Sequence, residues 1–251
     1  MPEAIIETTG LTKSFKGFRA VNDISLQVLP GTIHAMIGPN GAGKTTCFNL
    51  LTKFLRPTSG RILFKGRDIT ALKPDQIARQ GLVRSFQISA VFGQLSVLDN
   101  VMLALQRQRG ESFDFWGSLR RLDTQKARAE ELLHDVGLGA ELDTPAAQLP
   151  YGRKRALELA TTLALDPEVM LLDEPLAGMG TEDVSRTADL IRRVAKGRTV
   201  LMVEHNLGVV AELCDRITVL ARGEVLVEGD YATVSKDPRV IESYIGGAAH
   251  E

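Results

Sequence analysis

The sequence predicts an α/β protein built on a parallel sheet, with an antiparallel β region at its N-terminus and an inserted helical region. Three patterns carry that expectation. After Leu149, short apolar runs alternate with helix-length segments, the texture of strands buried on both faces. From Ala4 to Val28 the residues alternate loosely, rich in Ile, Val, Thr and Phe, and are broken by Gly10, Gly17 and Asn22-Asp23. From Ile88 to Gln148, apolar positions such as Val97, Val101, Leu105, Ala127, Leu132 and Val136 recur at helical spacing, with Arg and Glu between them.

Taken in order, the first 28 residues read as short antiparallel strands. Thr32-Ile33-His34-Ala35-Met36-Ile37 is a buried strand, and Cys47-Phe48-Asn49-Leu50-Leu51 the first turns of a helix. Residues 56–60 form a turn, 61–64 a strand and 65–68 another turn. A short helix with proline in its first turn covers 74–79, and a strand follows at 82–86, ending at Gln87. Residues 1–87 and 149–251 form the α/β core, and 88–148 a helical subdomain. Within that subdomain Arg107, Arg109, Arg120 and Arg121 read as a solvated face. The core resumes with a helix at 153–165, a strand at 169–173 and an amphipathic helix at 181–196. A strand at 199–203, a helix at 207–213, a strand at 217–220, a turn at 221–224 and a strand at 225–228 complete it.

The chemistry is concentrated between the strand at 32–37 and its helix. Gly38-Pro39-Asn40-Gly41-Ala42-Gly43-Lys44-Thr45-Thr46 has the spacing G-x-x-x-x-G-K-T of a phosphate-binding P-loop, in the strand-to-helix context the pattern requires. Glycines let successive N–H groups point into one concavity, and the helix start adds unpaired N–H groups for an anion. Lys44 can reach the β- and γ-phosphates of a nucleotide, and the Thr45 hydroxyl can ligate Mg²⁺. Val169-Met170-Leu171-Leu172-Asp173-Glu174 is an apolar strand ending in two acids. Asp173 suits the carboxylate partner of Mg²⁺, and Glu174, one residue nearer the open site, can orient or deprotonate a water. Val203-Glu204-His205-Asn206 repeats the layout, placing His205 where it can meet the γ-phosphate or the water. Phe15, with Phe18 nearby, offers a flat face for a purine.

Composition narrows the class. In 251 residues, 44% are hydrophobic and 24% charged, the balance of a globular protein. Lys+Arg 30 against Asp+Glu 31 leaves a net charge of -1, so no basic field is available and no nucleic-acid partner is expected. With Cys47 and Cys214 alone, a reducing compartment is expected rather than a disulfide framework. The N-terminus lacks the pattern of a signal peptide, and no apolar run reaches the ~18 residues of a spanning helix. Any service to a membrane is therefore expected to run through another subunit.

The order of motifs resembles the ATP-binding subunits of ABC transporters, over nearly the whole chain. It comprises the P-loop, a lone Gln87 after a strand, a helical insertion and a helix opening at Leu149-Pro150-Tyr151-Gly152-Arg153. Leu171-Leu172-Asp173-Glu174-Pro175 and His205 follow. The resemblance implies a P-loop NTPase fold of RecA-like type, with Gly38 to Thr46 as Walker A and Phe15 stacking on adenine. Gln87 is then the Q-loop residue, a partner of Mg²⁺ and catalysis, with the groove beside it at Ile88 to Phe92 receiving a helix of the membrane subunit. Tyr151, Gly152 and Arg153 belong to the signature that contacts the partner's nucleotide. Asp173 and Glu174 are the Walker B acid and catalytic glutamate, Leu176 to Gly180 the D-loop, and His205 the switch histidine. ATP and Mg²⁺ are the implied ligands. The implied partners are a second ATPase subunit, identical or similar, transmembrane permease subunits and, indirectly, a periplasmic solute-binding protein. The implied location is peripheral, on the cytoplasmic face of the inner (plasma) membrane.

Finer traits resemble the branched-chain amino-acid importer branch. These are the polar stretch from Gly110 to Arg121, the Tyr-Gly form of the signature, Glu174-Pro175-Leu176-Ala177-Gly178, and the ending from Asp237 to Gly246. Importers of urea, amides and aromatic acids share them; the alternatives are the lipopolysaccharide-export ATPase, which has a similar core, and a non-transport ABC ATPase. Two departures stand out: Pro150 replaces the usual signature serine, and Gly180 stands where many relatives carry aspartate.

Overall fold

The computed structural model describes residues 3–85, 91–109 and 119–247. The first half runs β1 (Ile6–Phe15), β2 (Phe18–Ile24), β3 (Gln27–Val28), β4 (Ile33–Ile37), α1 (Lys44–Leu51), β5 (Ser59–Phe64), β6 (Arg67–Asp68), α2 (Pro74–Arg79) and β7 (Leu82–Arg84). Two long helices follow, α3 (Val97–Arg109) and α4 (Leu119–Asp135). Then come α5 (Tyr151–Leu163), β8 (Val169–Asp173), α6 (Thr181–Val194), β9 (Thr199–Val203) and α7 (Leu207–Leu213). The chain continues through β10 (Arg216–Ala221), β11 (Glu224–Gly229), α8 (Tyr231–Val234) and α9 (Pro238–Gly247).

The strands form two sheets. An antiparallel one has the order β2-β1-β5-β6, with β3 also against β1, and a six-stranded one has the order β11-β10-β4-β9-β8-β7. Within the larger sheet every neighbouring pair is parallel except β10 and β11. That exception follows from the connection. Arg222 and Gly223, both at positive φ (51° and 83°), make a two-residue hairpin turn, and a parallel return needs a far longer crossover. A similar short reversal at Lys65-Gly66 makes Arg67-Asp68 a paired strand where the sequence pattern reads only as a turn.

Alternation along the central strands supplies both faces of the core. On β4, Ile33, Ala35 and Ile37 pack with α5, α6 and α7, while Met36 faces the antiparallel sheet and α1. β8 and β9 divide likewise, with Met170, Leu172, Val200 and Met202 on one side and Leu171, Leu201 and Val203 on the other. Phe48, Leu50 and Leu51 of α1 are fully buried between the sheets. At about 1.5–3 kcal/mol for each large apolar side chain removed from water, this layer fixes the direction in which α1 leaves the P-loop. Helices α3 and α4 lie against each other and α5, through Val97, Val101, Leu105, Ala129, Leu132 and Leu133.

A polar tie links β4, β10 and β11. The Thr218 hydroxyl donates to Glu228 (2.7 Å), so its oxygen accepts from Nε2 of buried His34 (2.8 Å), and Arg216 donates to the same glutamate. The imidazole is thereby held with its proton on Nε2, while Nδ1 has no hydrogen-bond partner.

Candidate functional site

β4, β9 and β8 are adjacent and parallel, and their register places Met36 and Asp173 on either side of Val203. Their carboxyl ends are therefore level, and the loops leaving them meet at one edge of the sheet, where open α/β sheets hold ligands. Sequence motifs lying far apart, at Gly38 to Thr46, Asp173-Glu174 and His205, become neighbours for this reason alone.

The P-loop geometry depends on two glycines that no other residue can replace. Gly38 (φ 148°) has the Leu220 carbonyl where a Cβ would stand, and Gly43 (φ 99°) has the Ala20 carbonyl there. Gly43 is also the N-cap of α1 and provides no side-chain cap, so the first amides of the helix are left for a ligand. Lys44 folds back across the loop, its Nζ donating to the carbonyls of Gly38 (2.6 Å) and Pro39 (3.0 Å). Burial lowers the Lys44 pKa, and the nearby Glu174 carboxylate acts in the opposite direction. Asn40, Gly41 and Thr45 are exposed at the mouth of the loop, with Ala42 buried beneath it.

Asp173 ends β8 half-buried, and an oxygen of its carboxylate is paired with Arg84 of β7. Glu174 follows in the left-handed region, φ 46°, its N–H donating to the Val203 carbonyl (3.0 Å). His205 is exposed at the end of β9. Between them lies Glu204, only 1% exposed, whose carboxylate accepts the N–H of Leu176 (3.0 Å) and of His205 (3.1 Å). It ties the loop bearing Glu174 to the loop bearing His205. Neither Glu204 nor Arg84 was expected from sequence to serve the site, since a single charged residue at the end of a strand or just after it has no spacing that marks it. An acid directly after a fully buried strand, as at Glu204 after Val203, is the signal that was available.

Thr45 and Asp173 supply a hydroxyl and a carboxylate, both hard oxygen donors. Among the described residues no group of three or more His, Cys, Asp or Glu could hold a metal alone. So sparse a set suits Mg²⁺, which keeps several waters and is shared with phosphates.

The remaining expected residues lie on the β1–β2 hairpin and at the start of α5. Phe15 ends β1 opposite Phe18 in the β1–β2 hairpin, 43% exposed, with Lys13 Nζ 5.2 Å from its ring centroid. The same hairpin touches the P-loop where Ala20 meets Gly43. Pro150 caps α5 without a side-chain hydrogen bond. The Tyr151 hydroxyl donates to the Ala177 carbonyl (2.8 Å), pinning α5 to the loop after Glu174. Gly152 lies beside the Asp183 carboxylate of α6. Arg153 turns away to the Gly137 carbonyl and to Glu141 (3.3 Å). Behind them Arg155 and Glu158 form a buried pair (2.8 Å). Gln87 and the groove at 88–90 lie outside the described residues, as do the side chains of Arg109, Arg120 and Arg121; Phe92 and Arg107 are exposed.

A family model described as ABC transporter matches residues 21–177, which include the P-loop, α5 and the two acids Asp173 and Glu174. The chain belongs to the ABC transporter family. It is the ATP-binding, ATP-hydrolysing subunit of a transporter. A second family model, described as branched-chain amino acid ATP-binding cassette transporter, matches residues 224–250. The chain is 36% identical over 256 residues to the high-affinity branched-chain amino acid transport ATP-binding protein LivG of Escherichia coli K12, covering 99% of this chain and 100% of the relative. It is also 37% identical over 243 residues to the lipopolysaccharide export system ATP-binding protein LptB of Acidithiobacillus ferridurans, covering 96% and 97%. Among solved structures it is similar to the ADP conformation of MJ1267, an ATP-binding cassette of an ABC transporter. That match has TM-score 0.85 and 29% identity, over 97% of this chain and 99% of the other. In this ABC ATPase no helix, among the described residues, is long and apolar enough to cross a membrane.

Proposed function

We propose that this ABC ATPase powers uptake of branched-chain amino acids, or of a related small polar or aromatic solute, through partner permease subunits. The observation carrying this reading is the match of residues 224–250 to the branched-chain amino acid transporter model. Overall identity does not separate LivG from LptB, at 36% and 37%, so the C-terminal segment decides.

In this reading residues 1–87 and 149–251 bind nucleotide, and 88–148 form the helical subdomain. Two ATPase subunits meet head to tail, at the cytoplasmic face of the inner membrane. The P-loop amides of 38–46 and Lys44 hold the phosphates, and Phe15 supports the adenine. Thr45, Asp173 and Gln87 are the residues that hold Mg²⁺, which when bound neutralises charge on the phosphates. Glu174 orients and accepts the proton of the attacking water, and His205 steadies the γ-phosphate. Tyr151, Gly152 and Arg153 border the ATP of the facing subunit. Binding of ATP favours the closed pair and hydrolysis the open one, so the cycle is a shift between two states with different affinities. A solute-binding protein outside the membrane delivers cargo to the permease and touches this chain only indirectly.

Purifying the subunit with its membrane and solute-binding partners, then screening amino acids on the latter by calorimetry, tests the assignment. Leucine, isoleucine or valine, or a related amide or aromatic acid, is expected to bind and to raise ATP hydrolysis in vesicles. Hydrolysis stimulated by lipopolysaccharide and by none of these solutes would favour the export reading instead.

A further inference from the structure

We infer that Arg84 is a positioning residue for Asp173: it holds one oxygen of that carboxylate and leaves the other to serve the Mg²⁺ site. This rests on the proposed role of Asp173 and adds to it a residue outside the motifs.

Arg84 is the last residue of β7, an edge strand parallel to β8, and lies opposite Leu171 in the ladder. From there its guanidinium makes three contacts. Nη2 pairs with Oδ2 of Asp173, and Nη1 donates to Oδ1 of Asn49 at 2.6 Å. The guanidinium carbon lies 5.8 Å from the ring centroid of Phe54. The side chains of Arg84 and Asp173 are only 17% and 10% exposed, so this is a sheltered pair rather than a solvated one.

Asn49 stands on α1, the helix that begins in the P-loop, and Asp173 ends β8. Arg84 thus connects the element that presents Thr45 to the element that presents the acid. A planar guanidinium can make both bonds at once and is always charged, which lysine cannot reproduce. With Arg84 in place the carboxylate is confined to one orientation. Without it a nearly buried acid has lost its partner and is free to rotate.

The test compares the full chain carrying Arg84→Met, Arg84→Lys or Asp173→Asn with the unaltered protein, each checked for native circular dichroism. Two quantities are read: the Mg²⁺ concentration for half-maximal ATP hydrolysis, and the binding of a fluorescent ATP analogue with EDTA or with Mg²⁺. Partners that orient metal ligands typically contribute 10–100-fold in metal affinity. Arg84→Met is expected to raise the half-activating Mg²⁺ concentration by about tenfold or more. Binding of the analogue in EDTA should be unchanged, and its tightening by Mg²⁺ should weaken in parallel. Saturating Mg²⁺ should recover most of the turnover, which damage to the fold would not permit. Arg84→Lys is expected to fall between, and it carries the test if Arg84→Met does not fold. A folded variant whose Mg²⁺ requirement is unchanged or lowered overturns the inference; lowering would mean that Arg84 competes with the ion. If Asp173→Asn also leaves the Mg²⁺ requirement unchanged, the assignment of Asp173 itself has failed.

Discussion

Glu174 holds a backbone conformation that side chains with a Cβ avoid, φ 46°, at a cost of about 1–2 kcal/mol. Its N–H bond to Val203 and the clasp of Glu204 on Leu176 hold the turn in that state. The consequence is a carboxylate close enough to Lys44 to act on its charge. Glu174→Gln keeps the shape and removes the base, so ATP should still bind. Turnover should fall by roughly 10²–10⁴, the range for loss of a general base. Phosphate release measured beside nucleotide binding checks this, and near-normal hydrolysis would refute the role. Residue identity made Glu174 and Lys44 legible in the sequence, because their spacing is a pattern. Arg84 and Glu204 were not, because each matters through a residue 89 or 28 positions away that only folding brings near.

At the scale of elements, the start of α5 is held by contacts within the chain: the Tyr151 hydroxyl donates to Ala177, and Arg153 meets Gly137 and Glu141. Pro150 is the N-cap residue but offers no side-chain hydrogen bond, at φ -57° and ψ 159°, a conformation serine adopts as readily. Pro150→Ser gains a capping hydroxyl worth about 1 kcal/mol and loses proline's restraint on the unfolded chain, about 0.4–1 kcal/mol. The two nearly cancel. Stability is therefore expected to move by less than about 0.5 kcal/mol, with hydrolysis retained or faster. Urea unfolding and phosphate release on one preparation check both; a folded but inactive variant would give Pro150 an active role. The buried strands of the α/β core were readable because they are continuous apolar runs, whereas helix ends such as those of α5 (Tyr151–Leu163, read as 153–165) shifted by two residues. The turn at 221–224 was readable too, and its shortness is what makes β11 antiparallel to β10.

For the molecule as a whole, the six-stranded sheet carries a titratable group at its centre. Burial lowers the His34 pKa from 6.5 to about 4, with Glu228 opposing that shift and Arg216 adding to it. A group whose folded pKa is depressed contributes stability present above its unfolded pKa and lost as pH falls through the folded one. Between pH 6.5 and 4 His34 therefore removes on the order of 3 kcal/mol, at 1.36 kcal/mol per unit. His34→Gln cannot take up that proton. Its unfolding free energy, whatever its value at neutral pH, should decline less steeply over this window than that of the unaltered chain. Urea titrations at pH 7, 6, 5 and 4.5 measure the difference, and equal slopes would show that His34 does not protonate on unfolding.

By itself the sequence determined the fold class, the buried strands and the helices between them up to residue 228, and the phosphate-binding loop, because each is written in local spacing and periodicity; it did not give β6, α8 or α9, which are short or lie beyond the apolar strand pattern. Tertiary structure alone decided which strands are neighbours, and hence that the loops after β4, β8 and β9 share one edge. It also decided that Arg84, Asn49 and Asp173 touch and that Glu204 joins two loops. Those are contacts between distant segments, and their energy exists only once the apolar layers on either side of the sheet have closed.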